Sequence, residues 1–186
     1  MEKLIIESCP ALHGEVVISG AKNSSLPILA ATILAAGRYH ISNIPALRDI
    51  NTMFKLLKNA GIESSFENNS AVLINNDTED FEAPYELVKT MRASILVLGP
   101  LLAKKGKAKV SLPGGCAIGE RPVDLHIAAL EKMGAKIEVK DGYIFAECEK
   151  LTGIEIIFDK VTVTGTENIM MAAAIAEGTT ILKNAA

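Results

Sequence analysis

Three runs of this chain are apolar on every side and carry no charge: residues 26–36, 93–103 and 169–176. A helix with no polar face belongs inside a fold, flanked on several sides. Each run leads to a glycine (Gly37, Gly106, Gly178) and then to a strand-like stretch, residues 39–42, 108–112 and 179–182. The first two strands are followed by segments of helical period. Leu47, Ile50, Met53, Phe54 and Leu57 make one apolar stripe; Val123, Ile127, Leu130 and Met133 make the other. Gly61 and Gly134 then stand where a helix takes a left-handed cap. Alternating runs follow and predict two hairpins. Residues 62–66 pair with 71–74 across Asn68-Asn69, and residues 136–139 with 143–147 across Asp141-Gly142. Asp-Gly is the stronger signal, because a type I′ turn needs positive φ at both central residues.

The glycines lie 69 residues (106 − 37) and 72 residues (178 − 106) apart, a period that points to a structural repeat. The unit is a strand, an amphipathic helix, a hairpin and an internal helix. Three internal helices enclosed by sheets predict an α/β (α+β) fold, a pseudo-threefold prism. Two units are expected at about 37–105 and 106–177. A third starts at Gly178, and since repeats need their neighbours to close a core, the chain reads as a fragment.

Composition fits such a core: 49% of the 186 residues are hydrophobic. The formal charge of −3 (19 − 22) gives no general attraction to nucleic acid or an acidic membrane, so any anion site must be local. No uncharged apolar run reaches the ~20 residues of a membrane span. Residues 1–6 lack a signal-peptide core. Three cysteines, Cys9, Cys116 and Cys148, are an odd number without metal spacing. That suits reduced thiols and a soluble cytoplasmic protein.

The densest chemistry lies in Pro113-Gly114-Gly115-Cys116, followed by Gly119 and Arg121-Pro122. Pro122 suits the first position of a helix, with Asp124 in its first turn. Two readings fit the spacing. One is a glycine-rich turn around an inert cysteine. The other is a loop that approaches a ligand or closes over it, its thiol activated by the arginine and the helix start. Lys22-Asn23, ahead of Ser24-Ser25-Leu26-Pro27, reads as a capping set or as a cation added to an anion-favouring helix start. Arg92 stands at the head of the second internal helix, and Lys160 on the strand leading to the third. Three cations at comparable places argue for a shared anion-binding end. Arg121 offers a bidentate fork, or simply covers its own helix. Asp124 has a plain reading as a first-turn acid. His126 is the weakest candidate alone, and His13 and His40 read as structural.

The run Pro113 to His126 resembles a signature of the enolpyruvyl transferase family, in its branch acting on UDP-N-acetylglucosamine. Ile18-Ser19-Gly20-Ala21-Lys22-Asn23, Val88-Lys89-Thr90-Met91-Arg92-Ala93-Ser94 and Asp159-Lys160-Val161 extend the resemblance along the whole chain. It implies two domains, each an inside-out α/β barrel (alpha-beta prism) of three units, with the active site between them. Residues 1–20 would form strands of the opposite domain, and residues 21–186 an incomplete catalytic-loop domain. Lys22 and Asn23 would contact phosphoenolpyruvate and the sugar nucleotide, and Arg92 the substrate. Arg121, Pro122, Val123, Asp124 and Leu125 would bind the UDP part, with Lys160, Val161, Thr162 and Val163 adding nucleotide contacts. Thr164-Gly165 departs from the Gly-Ala expected there.

The reaction implied opens peptidoglycan synthesis. The sugar 3′-hydroxyl adds to C2 of phosphoenolpyruvate, a proton reaches C3, and the tetrahedral ketal loses phosphate. Cys116 is the expected acid and the holder of an enolpyruvyl adduct. Lys22 and Arg121 would stabilise the phosphate as its charge changes. No metal or cofactor is required. The general base and the carboxylate-binding arginines would lie beyond Ala186, so this chain alone is expected to bind UDP-sugar weakly without turnover. Its exposed core would favour self-association. Two other readings stand behind this one. A sister transferase acting on shikimate 3-phosphate shares the fold but lacks the Gly-Gly-Cys loop and reads Lys-Ser at Lys22-Asn23. A non-catalytic module would only bind nucleotide.

Overall fold

The computed structural model describes residues 3–8, 11–77, 91–112 and 123–186. In chain order it has α1 (Lys22–Ala31), β1 (Gly37–Ile41), α2 (Arg48–Asn59), β2 (Ile62–Glu67) and β3 (Ser70–Asn75). A 3-10 segment (Arg92–Val97) then runs into α3 (Leu98–Lys105), followed by β4 (Lys107–Ser111), α4 (Asp124–Lys132), β5 (Lys136–Lys140) and β6 (Tyr143–Glu147). Last come β7 (Glu155–Ile157), α5 (Val163–Ala173) and β8 (Ile181–Lys183). The mixed α/β architecture and the repeated unit are as expected from the pattern.

Both hairpins form where the turn residues predict them. Asn68 and Asn69 take φ of 49° and 57°, and Asp141 and Gly142 take 51° and 78°. Asparagine thus reaches the same left-handed geometry as the Asp-Gly pair. Each hairpin gains its unit's first strand, giving antiparallel sheets of order β1-β3-β2 and β4-β6-β5. Gly61 (φ 72°) and Gly134 (φ 100°) turn the chain out of α2 and α4 into the hairpins. β7 and β8 pair in parallel, Ile156 opposite Leu182, across the intervening α5.

The three apolar helices pack on one another: α1 meets the 3-10 segment and α5, and α5 also meets α3. Residues 94–102 are buried without a break, so the middle helix lies inside as expected. Its two neighbours are only partly enclosed. Ile28 of α1 and Met170 of α5 are 49% and 58% exposed, their outer faces uncovered among the described residues.

Helix boundaries depart from the pattern for identifiable reasons. α1 ends at Ala31, not residue 36. The Asn75 Nδ2 of β3 donates to the Thr32 and Ala35 carbonyls (both 2.9 Å), and Thr32, Ile33 and Leu34 N–H groups make tight i−3 bonds. The second run is 3-10 before Leu98, since Pro100 has no N–H. The α-helix starts so that Pro100 falls in its first turn, where none is needed. The third helix starts at Val163, six residues early, because the Thr162 Oγ1 accepts the Gly165 N–H (3.1 Å).

Lys160, expected on a strand, sits in a bend after β7. The β7 pairing ends with the Phe158 N–H on the Lys183 carbonyl (3.2 Å). The strands expected in residues 1–20 are not formed among the described residues. Leu4, Ile5, Val16 and Val17 are at least 71% exposed, and a lone extended segment is marginal in water.

At the far end of α3, Lys104 (3.1 Å) and Lys105 (2.7 Å) both reach Asp77. Their hydrogen bonds hold its carboxyl below the ordinary carboxylate range. The tie is therefore complete above the unfolded carboxylate value and is lost as pH falls through the lowered one.

Asn75 closes α1 from another element, so Asn75→Ala strands buried carbonyls. It is expected to lower the unfolding free energy by about 1–3 kcal/mol in a urea titration followed by circular dichroism. An unchanged midpoint would show that water satisfies those carbonyls.

Candidate functional site

The cations singled out in the sequence stand at the heads of the three internal helices. Lys22 is the first residue of α1 and Arg92 the first of the 3-10 segment, and Lys160 lies two residues before Thr162, the N-cap of α5. None of these helices has an acid in its first turn, whereas the outer α2 and α4 start with Asp49 and Asp124. Helix starts carry unsatisfied N–H groups and positive potential that a first-turn carboxylate normally answers. Three internal helices without a first-turn acid of their own, each with a cation at its head, suit an external anion.

Lys22 and Asn23 do not precede the helix as a capping set. Both lie within its first turn, and the N-cap, Ala21, makes no side-chain cap bond. Ser24 and Ser25 instead donate to the Ala21 carbonyl (3.1 and 2.9 Å). The Lys22 ammonium pairs with the Asp49 carboxylate at 2.9 Å, joining the starts of α1 and α2. With those side chains 44% and 30% exposed, the pair is weak, and a bound phosphate can compete for the ammonium.

A second junction joins α4 to α5. Val123, Asp124 and Leu125 lead into His126, which is 3% exposed and so neither solvated nor peripheral. The His126 Nδ1 faces the Asn168 Nδ2 (2.9 Å), and its Nε2 faces the Thr164 Oγ1 (3.4 Å). Thr164 thus turns its hydroxyl towards α4. On the outer side Lys160, Val161 and Val163 are exposed, as is Asp124, whose Oδ1 accepts the Leu125 N–H (2.9 Å). Segments 123–125 and 160–163 therefore lead into two helices that touch at His126, Thr164 and Asn168. Cys9, Val88-Lys89-Thr90, Cys116, Arg121 and Pro122 lie outside the described residues, as does the Arg92 side chain.

Sequence reasoning missed Asp49 as the partner of Lys22, though an acid in the first turn of α2 was visible. It also missed Asn168, the one amide of α5, set directly before the apolar run 169–176, which is a signal of a buried polar contact.

A family model described as EPSP synthase (3-phosphoshikimate 1-carboxyvinyltransferase) matches residues 6–186. The chain belongs to the EPSP synthase family. Members of that family named UDP-N-acetylglucosamine 1-carboxyvinyltransferase are similar along the whole of it. The protein from Saccharophagus degradans is 58% identical, that from Halorhodospira halophila 57% and that from Lawsonia intracellularis 59%. The chain spans 45%, 45% and 44% of their lengths. Solved structures share the fold. The enolpyruvyl transferase NikO from Streptomyces tendae matches 92% of the chain, which covers 41% of it, with a TM-score of 0.77 at 20% identity. EPSP synthase from Acinetobacter baumannii matches 91%, with 40% of it covered, a TM-score of 0.71 and 19% identity. Among the described residues of this EPSP synthase-family chain, no helix is long and apolar enough to cross a membrane.

Because the Lys22–Asp49 pair is exposed, Asp49→Asn is expected to change stability by less than about 1 kcal/mol in chemical denaturation. The same variant should bind inorganic phosphate more tightly than the parent in a phosphorus-NMR titration. A large loss of stability would mean that the pair is structural.

Proposed function

We propose that this chain supplies the sugar-nucleotide and phosphate grip of a UDP-N-acetylglucosamine 1-carboxyvinyltransferase. The observation that carries the reading is the acid-free start of three mutually packed helices, each with a cation beside it, in a chain 57–59% identical to proteins of that name. The assembled protein transfers the enolpyruvyl group of phosphoenolpyruvate to the 3′-hydroxyl of UDP-N-acetylglucosamine, the step that opens peptidoglycan synthesis in the cytoplasm.

In this reading the hydroxyl oxygen bonds to C2 while Cys116 delivers a proton to C3, and the C2–O bond to phosphate then breaks as C3 gives up a proton, which restores the C2–C3 double bond. Lys22 and Arg121 hold the phosphate group, whose charge changes as it leaves, so their effect falls mainly on the transition state. Asn23 and Arg92 contact the substrates. The diphosphate and uridine lie along Arg121 to Leu125 and Lys160 to Val163, where Arg121 supplies the fork and Lys160 a point charge. The glycines around Cys116 let that segment close over bound substrate and exclude water. The base that takes the hydroxyl proton comes from outside this chain, so the chain alone binds without turning over. The domain division is read the same way, with residues 1–20 serving the opposite domain and 21–186 this one.

The shikimate reading has the family model's description in its favour. The Lys22-Asn23 pair, the Gly-Gly-Cys segment and the names of the 57–59% identical relatives favour the sugar nucleotide.

The purified chain is expected to bind UDP-N-acetylglucosamine weakly by calorimetry or NMR titration and to release no phosphate when phosphoenolpyruvate is added. Lys160→Ala should weaken that binding about tenfold, the usual scale of a charged phosphate contact. Preference for shikimate 3-phosphate, or no change in the variant, would overturn the assignment.

A further inference from the structure

The buried amide of Asn168 is held from both ends by backbone. Its Oδ1 accepts the Gly99 N–H (2.7 Å), and its Nδ2 donates to the Ile95 carbonyl (3.3 Å). These partners have opposite polarity, so the amide cannot be reversed without setting donor against donor and acceptor against acceptor. With the orientation fixed, Nδ2 can also face His126 Nδ1 at 2.9 Å only if that nitrogen carries a lone pair. The imidazole is therefore neutral with its hydrogen on Nε2, where the Thr164 hydroxyl lies at 3.4 Å. Asn168 and His126 are 0% and 3% exposed, so water does not substitute for these partners. Gly99 makes the arrangement possible, because a Cβ there would overlap the Asn168 side chain and backbone.

The amide lies on α5, its backbone partners on the 3-10 segment and α3, and the imidazole on α4. It therefore joins the element headed by Arg92 to the two helices that follow Val123 and Thr162. We infer that Asn168 is a positioning residue. It locks the His126 tautomer, and through it sets the start of α4, with Asp124 and Leu125, against the start of α5, with Thr162 and Val163. The ligand so served is a nucleoside diphosphate whose groups span both segments. This deepens the proposed function and rests on it for the ligand, while the tautomer lock stands on the geometry alone.

The test uses this chain with uniform nitrogen-15 labelling and UDP as probe. Long-range proton–nitrogen correlation should show His126 with a pyrrole-type Nε2 and a pyridine-type Nδ1. In Asn168→Asp, whose carboxylate oxygen faces Nδ1, a proton should appear on that nitrogen. UDP should bind that variant, and Asn168→Ala, at least tenfold more weakly than the parent. His126→Asn sets its Oδ1 where Nδ1 stood, in reach of the Asn168 amide, and should hold UDP affinity within about threefold, whereas His126→Leu should lose it like Asn168→Ala. Variants are compared only where circular dichroism shows them folded. Should both alanine and leucine variants unfold, the tautomer in the parent and the asparagine rescue decide. A parent His126 protonated on Nδ1 would overturn the lock, and folded Asn168 variants binding UDP like the parent would overturn the positioning role. A parent that shows the predicted tautomer yet binds no UDP would instead count against the nucleotide reading.

Discussion

The burial of residues 94–102 on every side is the constraint from which the rest follows. A helix with no polar face has to be enclosed, and here α1 and α5 lie against it. Enclosure in turn fixes what its neighbours present outward. The outer helices can afford amphipathic stripes and first-turn acids, while the internal ones spend their length on packing. Their ends are then the places where an internal helix reaches solvent. The anion grip proposed at the helix starts would thus follow from putting helices inside, since their side-chain faces are occupied by the core.

Polar contacts inside such a core are few and each has a definite task. Asn75 closes α1, Thr162 opens α5, and Asn168 joins three elements through two backbone groups and the His126 imidazole. An apolar interface between α4 and α5 would tolerate small slides of one helix along the other. The bond between His126 and Asn168 does not, because its length and direction are set. It lies one turn from the segments read as the nucleotide edge, where a slide would matter most.

How much of this was legible in the residues depends on whether the signal is local. The hairpins, the left-handed glycines after α2 and α4 and the amphipathic stripes were readable because a turn or a period is decided within a few positions. Helix ends were not. That α1 stops at Ala31 is decided by Asn75, more than forty residues away, and the head of α3 is set by Pro100 together with a contact to Asn168. The cations at the helix heads were readable through the repeat, whereas Asp49 as the partner of Lys22 was not. A pairing between two helix starts depends on how the helices pack, which no period in the sequence encodes. Lys160 was misassigned to a strand for the same reason, since the length of β7 is set by β8 across α5.

The two units also differ in one informative way. In the first sheet Ala71 stands opposite Ile41, and in the second Ile144 stands opposite Val110. The hairpins are thus related by 73 residues (144 − 71), but the first strands by only 69 (110 − 41). Phe66 and Val139, the partners of Ala71 and Ile144 on the other side, keep the spacing of 73, as do Gly61 and Gly134. Four additional residues must therefore enter the second unit between its first strand and the end of its amphipathic helix. That interval holds Pro113-Gly114-Gly115-Cys116 and Arg121-Pro122. Strands and turns are held in common because register admits no partial change: one residue of slip would turn every core side chain outward. A connection carries no such restriction, and length added there leaves the sheet intact. The repeat is thus kept where packing requires it and lengthened in the interval that holds the candidate thiol.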